Sequence, residues 1–167
     1  MHLELMRDKT KTFPTIENPE RFLSARIWYC GYNSFETLSK LTNLKKLIVA
    51  GYPNSSFDLL NSLTNLEVLE VLHMPKIKQI DALSNLKCLH TLSLSTLPSW
   101  DSSGKITEID TLEPLTKLPK LTNLSLLGVV PASKSAASLL TMKSLKQVKL
   151  SKFPKLEQEK IYAYFSA

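Results

Sequence analysis

The chain has 167 residues, 43% of them apolar and 22% charged, and a formal net charge of +6. That is the length of one domain and too apolar a composition for disorder, while no apolar stretch approaches the roughly 20 residues that span a bilayer. Charges occupy the opening MHLELMRDKTKTFP where a secretion signal needs its apolar run, and Cys30 and Cys88 sit at positions that disfavour a bridge, so free thiols and a cytoplasmic location are expected.

Residues 1–22 read as an N-terminal cap. Leu3 and Leu5 alternate as in a strand and precede Ile27 and Tyr29 by 24 residues, which predicts an outermost strand over 2–6. The KTKT run at 9–12 then forms an enlarged loop. Residues 23–153 repeat one unit. Leucine or valine recurs at intervals of three, three and two in Leu41, Leu44, Leu47, Val49, again in Leu63, Leu66, Leu69, Val71, and again in Leu86, Leu89, Leu92, Leu94. Two later copies are Leu118, Leu121, Leu124, Leu126 and Met142, Leu145, Val148, Leu150. A helical step thus runs into a short alternating strand. A bulky apolar residue followed by proline comes behind most of these strands, as in Tyr52-Pro53, Met74-Pro75, Leu97-Pro98 and Phe153-Pro154. Proline suits a chain leaving a sheet, where no donor is needed.

Between the strands, segments 57–66, 79–89, 111–121 and 135–145 carry Leu and Ala at helical spacing, with Asn or Ser ahead of them as caps and Asp58, Asp81 and Asp110 near their starts. Short α or 3-10 helices are expected there. With the last strand residues at 29, 49, 71, 94, 126 and 150, the steps are 20, 22, 23, 32 and 24. The long step places an insertion at SWDSSG (99–104), where Trp100 is either tucked onto the solenoid edge or, with Asp101, part of a binding loop. Residues 154–167 predict a capping helix in which Leu156, Ile161, Tyr164 and Phe165 cover the last coil.

Over residues 20–155 these units resemble the leucine-rich repeat family. The resemblance implies an α/β solenoid, with a curved parallel sheet of about six strands on the concave face and short helices on the convex face. It also implies the binding of other macromolecules, a role such arrays perform on their extended concave surfaces. A molecule made essentially of its solenoid would act by occupying a partner, as an inhibitor, an immunity- or antitoxin-like protein, an adaptor or a subunit.

No constellation supports catalysis, a metal or a cofactor: the chain lacks CxxC, HxxxH, GxGxxG and GxxxxGK. His73 and His90 could approach each other across adjacent coils, but they have no third ligand. Strand alternation instead points Arg26, Trp28 and Cys30 out of the concave sheet, followed by Lys46, Ile48 and Ala50, then Val68, Glu70 and Leu72. Next come Thr91, Ser93 and Ser95, then Asn123, Ser125 and Leu127, then Gln147, Lys149 and Ser151. Trp28, Ile48, Val68 and Leu72 form an apolar streak that either meets a protein partner or packs under segment 6–22. Residues 118–167 carry eight basic and two acidic side chains, an excess that favours acidic partners. Nucleic acid is the alternative partner, through Lys143, Lys146, Lys149 and Lys152, although no exposed aromatics are expected beside those lysines.

Overall fold

The computed structural model describes residues 1–166; Ala167, the last residue of the expected capping helix, lies outside them. Nine strands form among the described residues: β1 (His2–Met6), β2 (Ser24–Trp28), β3 (Lys46–Ala50), β4 (Val68–Leu72), β5 (Thr91–Ser95), β6 (Thr107–Ile109), β7 (Asn123–Leu127), β8 (Val129–Pro131) and β9 (Gln147–Ser151). Seven of them build one parallel sheet in the order β1-β2-β3-β4-β5-β7-β9, and β6 pairs with β8 in a second, two-stranded parallel sheet. The architecture is an α/β leucine-rich repeat solenoid.

Register follows the leucine pattern. Leu3, Ala25, Leu47, Leu69, Leu92, Leu124 and Val148 stack in one inward row, and Leu5, Ile27, Val49, Val71, Leu94, Leu126 and Leu150 in the next. Nearly all are buried, and each buried leucine contributes roughly 1.5–3 kcal/mol to a core that is continuous along the stack. The pairing corrects the expected frame of the first coils. Ile27, not Tyr29, aligns with Val49, and Leu5 precedes Ile27 by 22 residues, so the two coils keep the period of their neighbours. Tyr29 leaves the strand at φ 51° and is 41% exposed. Two extra residues, Cys30 and Gly31, then restore the phase of the buried Tyr32.

From β3 onward each strand of the main sheet is entered by the same device. One carbonyl accepts two successive N–H groups of the next coil at 2.8–3.2 Å: Leu23 from Lys45 and Lys46, Lys45 from Glu67 and Val68, Glu67 from His90 and Thr91, His90 from Thr122 and Asn123, and Thr122 from Lys146 and Gln147. The convex connections are 3-10 turns of three to five residues, as at Glu36–Lys40 and Asp81–Asn85, so the short alternative holds. Their caps sit one residue earlier than a standard N-cap. The residues immediately ahead of the turns are apolar and buried, such as Phe35, Phe57 and Ile80, and make no side-chain cap, and Asp110 lies outside any helix. At three turns the hydroxyl before that apolar residue accepts the first N–H instead: Ser56 from Asp58 at 3.3 Å, Thr111 from Glu113 at 3.1 Å and Ser135 from Ala137 at 3.2 Å. Within the turns, the Ser39, Ser84, Thr116 and Thr141 hydroxyls donate to carbonyls three residues back.

Aromatic rings fill the first coils, Phe13, Tyr32, Phe35, Tyr52 and Phe57 touching in succession at centroid distances of 5.0–6.1 Å. Burial, reinforced by the Asp8 carboxylate that accepts its hydroxyl at 2.8 Å, pushes the Tyr32 phenol up. Segment 7–22 follows the path of a coil. Gly31 and Asn33 donate to its carbonyls at Asp8 and Lys11, while Ile16 and Phe22 pack on the core.

The insertion is a short helix, α1 (Pro98–Ser102), followed by β6. Strands β6 and β8 went unread because each is only three residues long; β8 also accounts for the late Val130-Pro131. The terminal helix α2 (Lys155–Phe165) buries Ile161 and half-buries Phe165. Leu156 and Tyr164, expected to cover the last coil, are 78% and 55% exposed. Tyr162 does that work, its hydroxyl bonding both the N–H and the carbonyl of Leu150 at 2.9 Å.

Candidate functional site

Three rows of side chains leave the concave sheet. The entry row is His2, Ser24, Lys46, Val68, Thr91, Asn123 and Gln147; the middle row is Glu4, Arg26, Ile48, Glu70, Ser93, Ser125 and Lys149. The exit row runs Met6, Trp28, Ala50, Leu72, Ser95, Leu127 and Ser151. Alternation thus places the expected residues on one face, with two corrections. Ala50 is fully buried between Trp28 and Leu72, because a methyl is too short to emerge between two larger neighbours. Cys30 lies beyond the end of β2. Both Cys30 and Cys88 are free and half-buried.

The N-terminal half of the face is apolar with a charged border. Arg26 lies over the Trp28 ring, its Cζ 4.5 Å from the centroid, and Nη1 is 3.4 Å from Glu4 Oε1. Glu4 Oε2 also pairs with His2 Nε2 at 2.8 Å. Tyr29 meets Trp28 edge-on at 5.5 Å. Trp28, Ile48 and Leu72 line a hollow of about 190 Å³ and remain half exposed, with Met6 49% exposed. Segment 7–22, packed along the core side, does not cover them.

The C-terminal half is a polar trough of about 300 Å³, bounded by Glu70 and Lys149 and floored by Thr91, Ser93, Asn123 and Ser125. Beyond the exit row, Leu72, Pro98, Leu127 and Asp101 line a more apolar hollow of about 410 Å³. Helix α1 roofs this side. Asp101 reaches Lys152 at 3.6 Å, and Trp100 meets the His73 ring edge-on at 5.1 Å with Lys105 5.7 Å from its own centroid. Trp100 is therefore half-buried on the solenoid edge, and Asp101 is the exposed member of the pair. Burial lowers the His73 imidazole, whose Nδ1 finds no hydrogen-bond partner among the described residues.

His73 and His90 do not meet. Val68 pairs with Thr91 and Leu72 with Ser95, so the two imidazoles stand at opposite ends of adjacent strands. His90 instead faces Glu67 at 3.8 Å, which also holds Lys45 at 3.2 Å. Among the described residues no group of three or more His, Cys, Asp and Glu is placed to hold a metal. No helix among them is long and apolar enough to cross a membrane.

The basic end also departs from expectation. Tyr162 and Phe165 of α2 line a hollow of about 580 Å³ with Lys146 and Lys149, so aromatics do stand beside these lysines. The sequence pattern missed them because the terminal helix folds back over β9. Lys152 is committed to Asp101, and Lys155 to Glu159 at 3.7 Å.

No protein-family model matches the chain, and no curated protein does. Solved structures do. Internalin C2 of Listeria monocytogenes is 20% identical, with a TM-score of 0.57 over 90% of this chain and 71% of that one. The internalin InlF of the same organism is 17% identical, with a TM-score of 0.53 over 88% of this chain; the chain spans only 46% of its length. Internalins are leucine-rich repeat proteins, and at these identities the likeness concerns the fold.

Proposed function

We propose that this leucine-rich repeat solenoid is a non-catalytic module that binds a protein partner on its concave face, as an inhibitor, an immunity-type protein, an adaptor or a subunit. The observation that carries the reading is the exit row: Met6, Trp28, Leu72 and Leu127 expose apolar surface along a rigid sheet, with Met6 at 49% and Leu127 at 41%. Parallel strands pre-organise these side chains, so little ordering cost falls on binding. The face is open to water along its length, whereas acid–base chemistry depends on enclosed pairs of groups. A standard interface takes about 800 Å² from each partner, and a few aromatic or arginine anchors carry most of its energy. Trp28, stacked under Arg26, fits that role, with Ile48 and Leu72 beside it, Val68 farther along the face in the entry row, and Trp100 and Asp101 at the rim.

The test couples capture of the partner from native lysate to one substitution. Trp28→Ala should weaken the captured complex by about 2 kcal/mol, roughly 30-fold, and leave the thermal midpoint within a few degrees. A large fall in midpoint with affinity intact would make Trp28 part of the packing and overturn the reading.

The hollow of Lys146, Lys149, Tyr162 and Phe165 favours a second reading, in which single-stranded nucleic acid runs along the last coil. Salt separates the two readings. Phosphate contacts lose affinity steeply between about 50 and 200 mM salt, and an apolar interface barely responds.

A further inference from the structure

The polar trough differs in kind from the apolar half of the face. Its middle row reads Glu70, Ser93, Ser125, Lys149, one residue from each of four neighbouring strands. Glu70 and Lys149 form no ion pair among the described residues, unlike Glu4 and Arg26, which neutralise each other. The trough therefore carries an unspent carboxylate at one end and an unspent ammonium at the other. Between them the serines are small and half-buried, and their hydroxyls bond to nothing within the described protein. Beside them Asn123 donates to Thr122 and Thr91 through Nδ2, which leaves its carbonyl oxygen free.

Small floor residues let a backbone come close, and free hydroxyl and amide groups suit the N–H and C=O groups of an extended chain. The spacing fixes the charges such a chain must bring. Strands lie about 4.8 Å apart, so three steps from β4 to β9 separate the two poles by about 14 Å. An extended peptide advances about 3.3 Å per residue and covers that distance in about four residues.

We propose that the trough seats an extended peptide segment of a protein partner, lying across β4, β5, β7 and β9. A basic side chain of the segment meets Glu70, and an acidic side chain about four residues away meets Lys149. A neutral oligosaccharide would satisfy the hydroxyls but would leave both poles covered and uncompensated, which is costly. The proposal rests on the concave-face reading above and gives it a ligand chemistry.

The experiment is selection of an unbiased dodecapeptide library on the immobilised full chain and its variants. Wild type should enrich peptides with one Lys or Arg and one Asp or Glu about four positions apart, in either order. Glu70→Lys, which makes both poles positive, should shift enrichment to two acidic residues at that spacing. Lys149→Glu should shift it to two basic residues. A synthetic peptide of the wild-type consensus should bind Glu70→Gln or Lys149→Gln at least about tenfold more weakly by fluorescence anisotropy. Peptides that ignore both neutral variants but are lost with Trp28→Ala would overturn the proposal and leave the concave-face reading standing. Peptides indifferent to all three substitutions would overturn both. The absence of any enriched peptide would also overturn the proposal, as would maltohexaose shifting the Ser93 and Ser125 amide resonances where no selected peptide does.

Discussion

Six of the seven strands in the main sheet end on a left-handed residue: Arg7, Tyr29, Gly51, His73, Gly128 and Lys152, with φ between 51° and 82°. For a side-chain-bearing residue that conformation costs roughly 1–2 kcal/mol, so tight exit bonds such as Tyr29 N–H to the Ala50 carbonyl at 2.9 Å must hold it. The two glycines avoid the strain, but they are not equivalent. A Cβ on Gly51 would only touch the Tyr29 ring at 3.8 Å, whereas one on Gly128 would run into the Thr96 side chain. Thr96 is the seventh exit residue, buried, and bound through its N–H to the Leu127 carbonyl. Gly128→Ala should therefore lose about 3 kcal/mol of stability in urea unfolding and Gly51→Ala about 1 kcal/mol. Equal losses would show that backbone strain alone matters. His73 adds a pH dependence. Burial holds its pKa below the ordinary histidine value of about 6.5, so the unfolded chain takes up that proton first as pH falls. The stability present above about pH 6.5 is then lost progressively as pH falls towards the lower folded value. His73→Asn keeps a residue that tolerates the left-handed turn and removes the titration. Its thermal midpoint should drop less than that of wild type between about pH 7.5 and pH 5.5.

At the scale of elements, the two ends of the sheet are treated differently. The outer edge of β9 is closed by α2, where the Tyr162 hydroxyl bonds Leu150 N–H and C=O and the Glu157 carboxylate accepts the Ala136 N–H at 3.0 Å. Tyr162→Phe keeps the ring and removes both bonds to Leu150. Each bond contributes about 0.5–1.5 kcal/mol, so a loss near 2 kcal/mol is expected, with faster exchange of the Leu150 amide as the site-specific readout. An unchanged Leu150 protection factor would mean that α2 holds on through Ile161 packing alone. Repeat strands were legible in the sequence because their period of two is strict and their buried faces are leucine. The helical tail was legible as an element but not as a surface. Its mixed pattern of Leu156, Ile161, Tyr162, Tyr164 and Phe165 allows more than one inward face, and a phenol seeking the open strand edge decides among them. Helix α1 and strands β6 and β8 were hidden for other reasons. Helix α1 occurs once, with no second copy to align it against, and β6 and β8 are too short at three residues to show a strand period.

Across the whole molecule the repeat also explains what could be read of the candidate site. Side-chain direction on the concave face follows from alternation once the ladder is phased, so Arg26, Trp28, Glu70, Ser93 and Lys149 were all placable. Exposure did not follow, as Ala50 shows, and neither did the meeting of Lys149 with Tyr162 and Phe165, which depends on how the chain folds back at its end. The same linear construction governs stability. Main-sheet strands pair only with their immediate neighbours in the stack, and a solenoid's stability is approximately a sum of coil and nearest-neighbour terms. A buried charge should then have consequences set by its place in the line. Leu3 and Leu92 occupy the same inward row, Leu3 at the outer strand with one neighbour and Leu92 on β5 with two. Leu3→Asp should fray β1 and the 7–22 segment while amides from β3 onward keep their protection in hydrogen exchange. Leu92→Asp places an unpaired carboxylate where both flanking coils need apolar contact, at a residue with no exposed surface. It should abolish protection through β4, β5 and β7 together and lower global stability by several kcal/mol. Global unfolding by Leu3→Asp as complete as that by Leu92→Asp would show that the stack folds as one indivisible unit, in which the first coil is as necessary as the fifth.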